Sequence, residues 1–579
     1  MMVTTQQWTR VASYAELKAT NCLTVTVEKH TLVLFAYADD VYAVDNRCPH
    51  MGFPLNKGSV NDGILTCYWH YARFDIASGG TFDLFADDVP AFPTRVDGDD
   101  VLVDVTPKSD QTEHHRKRVT VGLEQNLGLV LAKSVIGLQR ANITMAEPFR
   151  TGLQFGTEYR STGWGQGLTI LGCMINLVDY LDNEQKPRAL YHGLSAVAGD
   201  TTMHSPHFSV GALPNPDVDM TTLKKWFRRF IEVRDNEGAE RVIISALHSG
   251  ADDKQMADML FAAATDHRYI QGGHVLDFIN KAFESLDVAG WENAEPVLAS
   301  LAPILASAPR MEESNAWRSP IDLVGILQAA FEALPSALEN GTGKNINPDF
   351  DALLAVLLQD DPQLTVDTLV ETLQNGVSAQ ALAGVVAYAA AIRITQFHTS
   401  NEFGDWDTAL HTFTFANAVH MGLLRVDSAD LVRGIFDAAM SIYLDRFLNI
   451  PAAKIPKPDS KIDNPESLLD DLEKMLNLQQ QVNEAASLVA TYLYSGGDAK
   501  KLMACMGRLL LREDRDFHTI QCVEASFRQY SLLKDTPYAN NVLIASARYL
   551  AAHAPTMRAQ GQTYQIAWRL ARGEKLFEG

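Results

Sequence analysis

The sequence predicts a multidomain protein, with an all-β domain over residues 1–107 followed by a large all-α domain built of repeated helical units. Three observations predict it. Up to Val105, short Val/Ile/Leu/Phe runs alternate with Gly, Asp, Asn and Pro, the mark of short strands and tight turns. From Val119 onward Ala, Leu and Met recur at helical spacing and strand signals nearly vanish. Within that second part, separated segments align with one another.

Taken in order, Thr24–Val27, Thr31–Ala36, Val41–Val44 and Val101–Val105 read as strands. The polar run Lys108–Arg118 follows Pro107 and reads as a linker, with His114 and His115 solvated. Residues 119–579 then read as helices, punctuated at Leu213-Pro-Asn-Pro216, Gly341-Thr-Gly343 and Pro451–Pro465.

Composition narrows the function. The chain has 579 residues, 46% of them hydrophobic and 21% charged, ordinary for a globular protein with large cores. A net charge of −22 argues against a nucleic-acid surface, which needs a basic face, and suits docking to a basic reductase. Of six cysteines, Cys22, Cys173, Cys505 and Cys522 show no pairing pattern, as expected in a reducing compartment. The start has no basic region followed by an apolar core. Leu168–Val178 and Val385–Ile394 are too short or too polar to span a bilayer. The expected location is the cytoplasm, with no membrane partner.

The chemistry-bearing motif is Cys48-Pro-His50 followed by Cys67-Tyr-Trp-His70. Two thiolates and two imidazoles in this order form the ligand set of a Rieske [2Fe–2S] cluster, in which two cysteines hold one iron and two histidines the other. Tetrahedral zinc is the rival for a Cys2His2 set, although zinc fingers keep their pairs as C-x-x-C and H-x3–5-H. The surroundings decide between them. Cys48-Pro-His50-Met-Gly-Phe-Pro-Leu, Gly63-Ile-Leu-Thr-Cys67-Tyr-Trp-His70-Tyr-Ala-Arg-Phe-Asp75, Ser78-Gly-Gly-Thr-Phe-Asp83 and Val89-Pro-Ala-Phe-Pro closely resemble the Rieske family over residues 6–107.

The resemblance implies a [2Fe–2S] cofactor held by Cys48, His50, Cys67 and His70. It also points to the ferredoxin and oxygenase branch. Phe53 and Trp69 stand where the respiratory branch carries a disulfide, and Ala72 follows Tyr71 where high-potential members place a hydroxyl donor. Fewer donors to the sulfurs make reduction harder, so the expected potential lies in the lower part of the Rieske range, roughly −150 to 0 mV. The chain departs from ring-hydroxylating Rieske oxygenases after residue 107, because it lacks both their mixed α/β pattern and an Asp-x2-His-x4-His iron motif.

In the helical part, Leu247-His-Ser-Gly250 aligns with Leu373-Gln-Asn-Gly376 and, more loosely, with Leu493-Tyr-Ser-Gly496. His274-x3-Phe278-x-Asn280 matches His411-x3-Phe415-x-Asn417, with His518, Cys522 and Glu524 at the equivalent places of the third copy. A fourth copy upstream carries Thr169 in place of the histidine. Stacked helical units account for such repeats without any chemistry.

His267, His274, His398 and His411 nevertheless lie near the polar tips of two copies, beside Asp266, Asp277, Glu402 and Asp405. Histidine and carboxylate with open positions is the donor set of a non-haem iron site. The expectation is that His274 and His411 are catalytic and that His267 and His398 ligate a second metal. His248, His518 and His553 are expected to be structural, and His204-x-x-His207 forms a separate pair.

Nucleophile motifs, Walker loops and Gly-x-Gly-x-x-Gly are absent, so electrons must come from a separate reductase or ferredoxin. The expected function is that of a Rieske oxidoreductase in which the cluster passes electrons to a site in the helical domain, for oxidation or oxygenation of a small molecule. The alternative is an electron-transfer or redox-sensing protein whose helical part is a docking scaffold with no catalytic site.

Overall fold

A computed structural model describes residues 8–106, 111–160, 162–215, 217–458, 460–574 and 576. The chain folds as two units, one of residues 1–144 with 562–579 and the other of residues 145–561.

The first unit is built on ten short strands. β1 (Trp8–Ser13), β10 (Asp100–Asp104) and β9 (Thr94–Asp97) form one antiparallel sheet. β2 (Cys22–Val27), β3 (His30–Tyr37), β4 (Asp40–Asp45) and β8 (Ala91–Phe92) form a second, and β5 (Ser59–Asn61), β6 (Ile64–Thr66) and β7 (Arg73–Asp75) a third. The strands expected from sequence fall in β2, β3, β4 and β10. Alternation along β3 drives the layering: Leu32 and Leu34 enter one core with Leu17, Val101 and Val103, while Val33 and Phe35 enter another with Leu65 and Phe74. That second core also contains Cys48 and Cys67.

The linker expected at 108–118 is helical where it is described. Gln111–Glu124 is one helix and Gly128–Arg140 the next, while residues 108–110 lie outside the described residues. The helices pack so closely that the ring of His115 covers Gly137, so His115 is half-buried rather than solvated. Both helices belong to the first unit because their cations serve its loops. Arg118 Nη2 donates to Leu84 O at 3.2 Å, and Lys133 Nζ donates to Pro49 O and, at 2.8 Å, to His50 O. The chain end returns to the same unit: a Cβ on Gly52 would meet Leu570 at 2.9 Å.

The second unit is helical and its repeats are real. Three helix pairs, Asn236–His248 with Asp253–Thr265, Pro362–Gln374 with Ala379–Thr395, and Val482–Tyr494 with Ala499–Leu511, share one turn. In each, the glycine recognised from sequence adopts a left-handed backbone: Gly250 at φ 86°, Gly376 at 101° and Gly496 at 87°. Asp252, Ser378 and Asp498 then cap the second helix.

Each copy continues into a third helix: His274–Ala289, Phe403–Arg425 and Phe517–Leu533. With Gln166–Leu177 of the fourth copy, these helices close a ring in which each packs on two neighbours. The ring interior is polar at its centre: Lys281 Nζ donates to Glu284 Oε2 at 2.8 Å and Glu524 Oε2 at 2.6 Å, and Asn176 Nδ2 donates to both glutamates. Among the described residues no helix is long and apolar enough to cross a membrane.

Candidate functional site

The cysteine and histidine motifs lie on two loops with one shared backbone design. In the first, the Cys48 amide donates to Phe53 O at 2.8 Å and the Gly52 amide to Cys48 O at 2.7 Å. In the second, the Cys67 amide donates to Ala72 O at 2.9 Å and the Tyr71 amide to Cys67 O at 3.0 Å. Gly52 and Tyr71 hold the same place in their loops, and both have positive φ, 82° and 60°. Each loop also turns two amides onto its own sulfur: His50 and Met51 donate to Cys48, Trp69 and His70 to Cys67.

The loops bring all four side chains together. The two buried sulfurs are within hydrogen-bond reach, and this contact raises the Cys48 thiol far above its ordinary value while drawing Cys67 down to about 6. The His50 and His70 rings stand 4.8 Å apart and nearly perpendicular. Burial, reinforced by Lys133 and His70, lowers His50 to about 4, so its imidazole stays neutral at pH 7. His50 Nδ1 is buried with no hydrogen-bond partner. Paired sulfurs under four amide donors and two adjacent imidazoles, one with an orphaned buried nitrogen, suit a cluster with mixed Cys/His ligation. Phe53 and Trp69 meet as rings 5.9 Å apart at the place of the respiratory disulfide.

In the second unit a different set of histidines converges. His274 begins one helix of the ring, His411 lies within another and His518 is the second residue of a third. One ligand atom from each lies within 4.8 Å of the others, and His411 Nε2 is 3.0 Å from His518 Nε2. The His274 ring is 4.6 Å from His411 and 5.5 Å from His518. Phe278 and Phe517 line the site beside His274.

Burial, with the neighbouring histidines adding to it, lowers His411 to about 3. Burial also lowers His518, against the opposing field of Asp407. His411 and His518 are therefore neutral at pH 7, the form that binds metal. His274 Nδ1 is buried without a hydrogen-bond partner and lies 4.0 Å from Asp277 Oδ2. His518 Nδ1 lies 3.6 Å from Asp407 Oδ2, and Asp407 is fixed by the Tyr549 hydroxyl at 2.7 Å. For His518 the carboxylate thus lies on the Nδ1 side while Nε2 faces His411, the arrangement of metal-binding histidines.

Thus His274 and His411 come together, joined by His518, whose equivalence to them was visible in the repeat alignment. The sequence-based expectation of a purely structural His518 does not anticipate this placement beside His274 and His411. Thr169, at the fourth position, accepts from Trp164 Nε1 at 2.8 Å. His267 and His398 are elsewhere. His267 is clamped by two carboxylates, Glu312 Oε1 at 2.8 Å and Glu232 Oε2 at 3.2 Å. His398 turns back on Ser400 Oγ at 2.7 Å. His207 pairs with Glu240, and His204 is exposed.

Comparison with known proteins covers the first unit. The family model "Rieske [2Fe-2S] domain" matches residues 7–93. The ferredoxin component of the naphthalene 1,2-dioxygenase system of Pseudomonas aeruginosa is 26% identical over 103 residues, 18% of this chain and 99% of that protein. Human apoptosis-inducing factor 3 is 27% identical over 114 residues, 19% of each chain. Among solved structures, the ferredoxin of carbazole 1,9a-dioxygenase from Nocardioides aromaticivorans IC177 is 30% identical, with a TM-score of 0.17, covering 18% of this chain and 99% of that one. Residues 7–93 thus form a Rieske [2Fe–2S] domain of the type found in dioxygenase ferredoxins.

Proposed function

We propose that this protein is an iron–sulfur oxidoreductase whose helical unit carries the electron acceptor, a non-haem iron held by His274, His411 and His518. One observation carries the reading: three histidines from three repeated helices converge in a half-buried site, with one nitrogen of each within 4.8 Å of the others and two of them 3.0 Å apart. A scaffold alone gives no reason to gather three imidazoles there. Zinc suits the same donors but has no redox chemistry, whereas a chain with a one-electron donor calls for a redox-active acceptor.

In the Rieske domain Cys48 and Cys67 hold one iron as thiolates and His50 and His70 the other, and the cluster supplies one-electron transfer. The four loop amides stabilise the thiolate sulfurs. His70 is exposed, as are Tyr68, Tyr71, Phe82 and Leu84, and this apolar face suits docking of a separate reductase or ferredoxin. Relatives that are ferredoxin components of dioxygenase systems support the carrier role.

In the helical unit Asp407 lies beside His518 Nδ1, and His274 and His411 complete a three-nitrogen set that leaves positions open. The phenyl rings keep bulk water from the buried face. The reaction supported is oxidation or oxygenation of a small organic molecule.

Electron-spin spectroscopy of the dithionite-reduced protein with nitric oxide tests the reading. A nitrosyl signal of high-spin ferrous iron is expected beside the Rieske signal, and His411→Ala removes the first and keeps the second. A Rieske signal alone in protein from iron-replete cells defeats it.

A further inference from the structure

Lys133 is placed unusually for a lysine. It sits on the helix Gly128–Arg140, beyond the segment matched by the family model, yet its ammonium reaches into the first cluster loop. It donates to the carbonyls of Pro49 and His50, the latter at 2.8 Å, and lies 3.7 Å from Asp87 Oδ2. Two carbonyls and a carboxylate match the three donors of an ammonium. Only 14% of the side chain is exposed. Asp87 does not cancel it, because Arg118 Nε already pairs with Asp87 Oδ1 at 2.6 Å. Two cations thus face one carboxylate beside Cys48, leaving one net positive charge in a poorly hydrated place. Lys133 and Cys48 line the same cavity.

We infer that Lys133 sets the electron affinity of the cluster: its charge beside the Cys48–His50 loop raises the reduction potential above the value that the β domain alone would give. The physical cause is simple. Reduction adds one electron and hence one negative charge, and a buried cation stabilises that state more than the oxidised one. Burial lowers the Lys133 pKa from its ordinary value while its two carbonyls and Asp87 favour the ammonium, and no bond is made or broken. Lys133 is a positioning residue as well, since its two carbonyl contacts immobilise the backbone between Cys48 and His50. The helical hairpin 111–140 is therefore a tuning element appended to the Rieske domain.

Redox titration of the full-length, cluster-loaded protein with dithionite, followed by the electron-spin signal, tests this. Lys133→Met is expected to lower the potential so that, at a fixed potential near the midpoint, the reduced-to-oxidised ratio falls about tenfold, 59 mV for one electron. Lys133→Arg is expected to keep the wild-type value, and Asp87→Asn to shift it upward. Full cluster content with an unchanged potential in Lys133→Met overturns the inference. If Lys133→Met loses its cluster, the sign in Asp87→Asn decides: an upward shift supports the inference, and no shift or a downward one overturns it.

Discussion

His411 Nε2 and His518 Nε2 lie 3.0 Å apart on helices from two different repeats, a separation at which two imidazoles share either a proton or a metal ion. Neither is protonated at neutral pH, because burial lowers both. The site can therefore offer both Nε2 atoms to a cation once the bridging N–H moves to the Nδ1 of its own ring.

Ferrous iron is expected to raise the melting temperature of protein stripped of iron at this site. At a hundredfold excess over the dissociation constant the gain is about 2.7 kcal/mol. His411→Ala and His518→Ala should each abolish the iron-dependent part. Differential scanning calorimetry with and without ferrous iron under anaerobic conditions measures it.

The site also predicts acid sensitivity. A histidine unfolds to a pKa of about 6.5, whereas His411 is held near 3 in the fold. Between these values the unfolded chain binds more protons than the folded one, so stability falls as pH drops below about 6.5 and the full loss is reached near 3. Above 6.5 this group contributes no pH dependence. His411→Asn should make the melting curve less steep against pH in that window, with His50, His192, His518 and the other buried histidines supplying the remainder.

Lys281 is the counter-ion of two buried glutamates, with side-chain exposures of 2% for Lys281, 4% for Glu284 and 1% for Glu524. Removing it leaves excess negative charge inside the ring of helices. Lys281→Met should cost about 3–5 kcal/mol in urea unfolding. Pairing it with Glu524→Leu should recover part of the loss.

Gly52 combines φ of 82° with a Cβ direction that meets Leu570 at 2.9 Å. Gly52→Ala should therefore loosen the first cluster loop, by about 1–2 kcal/mol from the left-handed backbone alone. Lower cluster occupancy, read from visible absorbance per chain, is the expected sign.

Much of this was legible before any coordinates. Period-two alternation marks β3 because its two faces enter two cores, and the ligand motifs carry the cluster loops since the backbone hydrogen bonds that close each loop are local. The repeats were legible through Gly250 and Gly376, whose left-handed turns only a few residue types accept. What escaped depends on partners distant in the chain. His267 looks like a ligand until Glu232 and Glu312 are brought to its two nitrogens. The run 111–118 looks like a solvated linker because the acceptors of Arg118 lie on the loop at Leu84–Asp87. His518 was aligned correctly with His274 and His411, yet sequence alone does not reveal that the ring of helices closes and brings the three together.

The most direct test of the account is the ratio of iron to acid-labile sulfide in purified full-length protein from iron-replete cells. The account predicts about three irons per chain to two sulfides, two of the irons belonging to the cluster. His274→Ala with His411→Ala should bring iron down to match sulfide and leave the Rieske spectrum intact. Wild-type protein with iron equal to sulfide, and no further loss in that double variant, would contradict an iron centre in the helical unit.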